Sequence, residues 1–223
     1  MKSTLIAPGA SVAALTGDEI LAIHQGVELD DIQWSPNGEK IIFRSRYTGA
    51  SEFWSISRDG TMLGRLTVGS YGSTPQVSTD GKCLSYLSAK SGSREVWLHP
   101  LRAELGAVDI QLSRLGADVN TSSWAPDGRT IVLSCSRHGS YDIYEIDVPS
   151  GEWRRLTCDP NNYEHYPVYS PDGKSIVYVQ LNSTWEDHSV IQMDRNGDHS
   201  RVLVKDEDFF DYQIGRRFGH PQI

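Results

Sequence analysis

Cysteine is scarce in this chain: Cys83, Cys135 and Cys158 are the whole set. An odd number at unrelated spacings offers neither a disulfide framework nor a zinc motif and suits reduced thiols. Cys83 and Cys135 fall in apolar strand patterns and are expected in the core. Positive charge is short too, with 21 Lys and Arg against 29 Asp and Glu and a formal net charge of −8. Phosphate binding wants a surplus of cations on one face, so nucleic acid is not an expected partner. No apolar run is long enough for a membrane span, and Met1–Ala14 carries a single Lys and no signal-peptide core. A cytoplasmic location and no membrane partner are therefore expected, with a periplasmic or secreted location as the alternative should a leader have been removed. Gly-x-Ser-x-Gly, a phosphate-binding loop and His-Glu-x-x-His are all missing, which removes the ready-made serine-hydrolase, nucleotide and zinc-protease readings.

What the chain has is repetition. Trp34-Ser35-Pro36-Asn37-Gly38 returns as Val77-Ser78-Thr79-Asp80-Gly81, Trp124-Ala125-Pro126-Asp127-Gly128 and Tyr169-Ser170-Pro171-Asp172-Gly173, with the glycines 43, 47 and 45 residues apart. Each is followed by a run rich in β-branched and aromatic residues, at Ile41–Ser45, Leu84–Ser88, Ile131–Cys135 and Ile176–Gln180, which predicts strands. A further run comes next, at Phe53–Ile56, Val96–Leu98, Ile143–Ile146 and Val190–Met193. Turns at 58–60, 149–151 and 195–197 then lead into closing strands such as Arg65-Leu66-Thr67 and Arg155-Leu156-Thr157. Each unit therefore reads as four antiparallel strands, A to D. Units of that size predict the blades of a β-propeller, with an all-β sandwich as the competing architecture. Trp34, Trp54 and Trp124 are expected to be core indoles.

The Ser170-Pro171-Asp172-Gly173-Lys174 turn followed by Ile176-Val177-Tyr178, the strand Tyr144-Glu145-Ile146-Asp147, and Arg154-Arg155-Leu156-Thr157 resemble the repeat of the TolB-type β-propeller family. The resemblance covers residues 31 to about 204, four whole repeats. It implies the fold and leaves the activity open, because such propellers serve as periplasmic scaffolds, peptidase gating domains and polysaccharide lyases.

The ends carry partial repeats. His220-Pro221-Gln222-Ile223 matches Thr74-Pro75-Gln76-Val77 as a strand A, while Thr4–Ala7, Ser11–Thr16 and Glu19–His24 read as strands B, C and D. Joined, they complete a blade and leave no open edge. The expected domain is then one five-bladed propeller over 1–223: residues 1–25 plus 220–223, 31–68, 74–115, 121–158 and 166–204. The alternative is a fragment of a six- or seven-bladed protein.

The A-to-B turns are nearly uniform, whereas the D-to-A and B-to-C loops differ in every repeat, so function is sought among the latter. The residues just before strand A include Asp30, Asp31, Asn120, His165 and His220. His165, His220 and Asp31 could hold a divalent metal ion such as zinc, manganese or iron, or could simply hydrate a channel mouth. Asp31, Asp118 and Glu164 are the candidate acid and base of a glycosidase-like reaction. Trp185 and His188 lie in the long loop 181–188, where the indole could stack on a sugar or a partner. Arg216 and Arg217 end the loop 204–219 and could clamp a carboxylate, or pair with Asp206, Glu207 or Asp208. The leading expectation is a non-catalytic binding module without a cofactor, presenting these loops to a protein or a small polar ligand. The alternative is a metal-assisted lyase or hydrolase acting on an acidic carbohydrate.

Overall fold

The computed structural model describes residues 29–69, 72–101, 108–206 and 208. These carry sixteen strands in four sheets, each of four antiparallel strands in sequence order. The first sheet is β1 (Leu29–Trp34), β2 (Lys40–Ser45), β3 (Glu52–Ser57) and β4 (Leu63–Arg65). The second is β5 (Ser73–Val77), β6 (Cys83–Ser88), β7 (Glu95–Pro100) and β8 (Ile110–Gln111). The third is β9 (Val119–Trp124), β10 (Thr130–Cys135), β11 (Asp142–Asp147) and β12 (Trp153–Arg155). The fourth is β13 (Asn162–Tyr169), β14 (Ser175–Asn182), β15 (His188–Asp194) and β16 (Arg201–Lys205). The chain divides into two compact units: the first two sheets in one, and the last two, with residues 93–95, in the other. The closing blade proposed from residues 1–25 and 220–223 lies outside the described residues, as do Arg216, Arg217 and His220. No helix among the described residues is long and apolar enough to cross a membrane.

The repeated motif is a turn with a physical reason for each residue. Gly38, Gly81, Gly128 and Gly173 have φ of 67°, 69°, 66° and 70°, a left-handed conformation that favours glycine. Asn37, Asp80, Asp127 and Asp172 each accept the backbone N–H two residues on, at 3.2, 3.0, 2.8 and 3.1 Å. Those local bonds hold the carboxylates of Asp80 and Asp172 below their ordinary value.

A second device recurs at the head of strand C. Glu52, Glu95 and Asp142 are buried. Each has its own partners: Gly69 N and Arg65 for Glu52, Ser113 Oγ and Gly116 N for Glu95, Arg155 for Asp142. The Thr of the Leu-Thr pair works beside them, since Thr67 and Thr157 accept the N–H of Phe53 and Ile143 at 2.9 and 2.8 Å. These side chains fasten the end of strand D to strand C and satisfy groups whose burial would otherwise be costly.

The apolar cores follow the β2/β3 and β10/β11 type runs. In the first unit Ile42, Phe53, Val77, Leu84 and Tyr86 cluster, with Leu66, Trp97 and Leu101 packed against them. In the second, Val132, Ile143, Ile176, Tyr178, Ile191 and Met193 do so, with Leu156 and Tyr169. The tryptophans divide. Trp124 is 8% exposed and is core, whereas Trp34 is 56% exposed and Trp54 is half-buried. Register sets Trp34 opposite Ile41 as it sets Trp124 opposite Ile131, so the two indoles share a place in their sheets and differ in what packs on that face. Cys135 is buried as expected, while Cys83 is only half-buried and Cys158 is exposed.

Candidate functional site

Strand A is irregular where the candidate residues sit. A register shift interrupts β1, β5 and β13, and Asp31, Thr74 and Tyr166 take φ of 51°, 49° and 54° there. Non-glycine residues in that region carry strain and turn a backbone N–H out of the ladder. Within each unit the preceding strand A catches it: Asp31 accepts the Thr74 N–H at 3.1 Å, and Thr121 Oγ1 accepts the Tyr166 N–H at 3.1 Å.

This accounts for several candidates. Asp31 also pairs with Arg44 at 2.9 Å, and the same guanidinium forks onto Asp30. Asp118 accepts the Arg94 N–H at 2.9 Å. Asp31 thus serves a backbone N–H and an ion pair, and Asp118 a backbone N–H. His188 binds Asp206 through its backbone N–H and through Nδ1, each at 2.9 Å. Among the described residues no group of three or more His, Cys, Asp or Glu could hold a metal ion.

What the second unit does assemble is a group of aromatic rings at the loop end of β13. Register pairs Asn162 with Asn182 and Tyr163 with Leu181, which sets Tyr163 beside the β14–β15 loop. Asn182 shapes that loop: its carbonyl accepts the Trp185 N–H at 3.1 Å and its Oδ1 accepts the Glu186 N–H at 3.1 Å. Trp185 sits at φ 62° and stacks on Tyr163, with centroids 5.0 Å apart and planes 24° from parallel. His165 lies 5.7 Å from Trp185, 4.7 Å from Tyr141 and 5.9 Å from Tyr166. Tyr166 and Trp185 are 59% and 52% exposed, whereas His165 is 3% exposed.

His165 is the buried anchor of the group. The Asn120 amide donates to its Nδ1 at 2.8 Å, leaving the proton of the neutral ring on Nε2. That atom is buried with no hydrogen-bond partner. Burial holds the imidazole below its ordinary value, so it stays neutral. Glu164 precedes it, 2% exposed, with its carboxylate on the Thr157 hydroxyl. Burial, reinforced by the charges of Asp142 and Asp159, pushes the Glu164 carboxyl up to about 7 against the hydrogen bonds from Thr157 and Gln180. A neutral imidazole beneath the exposed rings of Tyr166 and Trp185 backs an aromatic surface suited to binding. Sequence reasoning named His165, Trp185, Glu164 and Asn120 but missed Tyr163 and Tyr141. Tyr163 stands two residues before His165 on a strand, and that spacing was the available signal.

Residues 105–211 match the family model of the TolB beta propeller domain. A dipeptidyl-peptidase 5 of Porphyromonas gingivalis is 22% identical over 157 residues, covering 63% of this chain and 22% of that protein. A protein TolB homolog of Chlorobium chlorochromatii is 26% identical over 143 residues, covering 64% of this chain and 31% of that one. Among solved structures, TolB from Acinetobacter baumannii superposes with a TM-score of 0.66 at 24% identity, over 79% of this chain and 43% of that one. The chain thus spans less than a third of these two curated relatives.

Proposed function

We propose, from the premise that the chain is built of TolB-type β-propeller repeats, that it is a non-catalytic binding module whose D-to-A and B-to-C loops receive a protein partner. The carrying observation is the exposed pair Tyr166 and Trp185 over buried His165. Exposed aromatic residues on a rigid scaffold supply contact area at low entropic loss and are enriched at interfaces. The relatives lend support, since one from Desulfotalea psychrophila bears the name Tol-Pal system protein TolB. Arg216 and Arg217, outside the described residues, stay sequence-based candidates for holding a carboxylate. His188 and Asp30, tied to Asp206 and Arg44, would act only if those pairs opened. Trp185→Ala and Tyr166→Ala are expected to leave folding intact, because exposed substitutions usually cost under about 0.5 kcal/mol, and to deplete the proteins retained by the immobilised chain. Unchanged retention contradicts the reading.

One observation favours a second reading, a metal-assisted enzyme acting on an acidic carbohydrate: Nε2 of His165 has no partner, and turning the Asn120 amide so that its oxygen accepts from Nδ1 would move the ring proton and leave Nε2 a nitrogen of the kind metals take. Asp31 counts against it, being held by Arg44 and the Thr74 N–H. Elemental analysis separates the two readings, since stoichiometric metal that disappears in a His165→Ala, His220→Ala double variant belongs only to the enzyme.

A further inference from the structure

Each unit contains one junction between consecutive sheets, and the turn ends of the two junctions can be compared position by position. Strand register fixes the equivalence. Val132 pairs with Glu145 as Ile42 does with Ser55, Glu145 with Arg154 as Ser55 with Gly64, and Tyr169 with Ile176 as Val77 with Leu84. The Arg195 N–H bonds to Lys174 O as the Leu101 N–H bonds to Lys82 O.

In the second unit side chains fill this space. The Arg195 guanidinium reaches Asp127 at 2.9 Å, Thr130 at 2.8 Å and Glu145 at 3.3 Å, and lies 5.4 Å from the centre of the Tyr169 ring. The Tyr169 hydroxyl donates to Glu145 at 2.5 Å and comes within 3.4 Å of Thr130 Oγ1. Arg154 closes the group by donating to the other oxygen of Glu145 at 2.8 Å.

In the first unit the same positions hold Asn37, Lys40, Ser55, Val77, Leu101 and Gly64. Tyrosine has become valine, glutamate serine, and both arginines small or apolar. The first five of these residues line a cavity of about 520 Å³, within the size range of small-molecule sites. Its floor is apolar: Ile42 and Val77 belong to the core cluster, and Leu66 and Leu101 pack on it. Its polar side carries Lys40 and Thr79, whose side-chain polar atoms have no partner among the described residues.

We propose that this cavity binds a small phenolic ligand, its ring over Val77 where the second unit places Tyr169, and its hydroxyl between Ser55 and Lys40. The filled junction is the argument for the chemistry, because the fold itself supplies a phenol ring at this position when the sequence allows it. A neutral ring suits the lining better than an anion, since the carboxylates of Glu39 and Asp80 face the same space as Lys40. The site lies at the turn end of its sheets and does not depend on the loop surface proposed above.

The test uses p-cresol as the probe, read by saturation-transfer NMR and calorimetry on the whole chain, with toluene as the ring lacking a hydroxyl. Saturable binding of p-cresol is expected, with toluene about tenfold weaker for want of the hydrogen bond. Val77→Tyr writes the missing ring into the cavity, and Leu101→Arg writes the missing guanidinium. Each is expected to abolish p-cresol binding with an unchanged far-ultraviolet circular dichroism spectrum. Val77 is 9% exposed, so if its variant fails to fold, Leu101→Arg and the exposed Lys40→Ala carry the test, the latter weakening binding several-fold. Failure of p-cresol to bind at its solubility limit, or equal binding by these variants, overturns the proposal.

Discussion

Replacing Glu164 by Gln should remove a pH dependence that the fold builds in. The carboxyl is 2% exposed, and burial lifts it from an ordinary 4.5 to about 7. Between those values the folded chain holds a proton that the unfolded chain has lost, so stability falls as pH rises through this window. The shift of about 2.5 pH units, at about 1.36 kcal/mol each, amounts to roughly 3 kcal/mol lost by pH 8. Gln keeps an oxygen that can accept from the Thr157 hydroxyl and carries no charge to bury. Glu164→Gln should therefore match the parent at pH 4.5 and exceed it by roughly 3 kcal/mol at pH 8. Urea denaturation of both chains from pH 4.5 to 8.5 isolates the effect, because every other titrating group is shared. Parallel curves, or a variant weaker by one amount at every pH, would refute the reasoning.

Two more predictions rest on burial and backbone geometry. Trp124→Ala should cost about 3–5 kcal/mol, as truncating a core indole does, while Trp34→Ala, 56% exposed, should cost under about 1 kcal/mol; similar losses at both sites contradict the burial difference. Gly197→Ala should cost about 1–3 kcal/mol, because φ there is 93° and a Cβ would meet Leu156 O at 2.8 Å. A melting temperature unchanged in that variant would mean the loop gives way without strain.

Repeat type and strand order were legible because both are written locally. Gly38 and its three counterparts need a left-handed turn, and the runs after them are rich in the β-branched and aromatic residues of strands. Burial at Trp34 was not legible, since the repeat motif and the register are the same as at Trp124 and only the packing on that face separates them. Asp31 was a fair metal candidate by residue type. Its commitment to a bulged N–H of the next strand A arises from pairing at a distance of 43 residues, which no local pattern records. Trp185 and His165 were each noticed singly, yet their juxtaposition depends on the β13–β14 register that carries Tyr163 to the same loop. The cavity beside Val77 was invisible for the opposite reason: it is made by what four positions lack.

The central claim is that the loop end of β13 receives a partner. Hydrogen–deuterium exchange of the chain, alone and mixed with the protein it retains, tests this most directly. Slowed exchange in residues 162–166 and 183–187 is the predicted result. Protection confined to the A-to-B turns at 125–129 and 170–174, with none at Trp185, would contradict it.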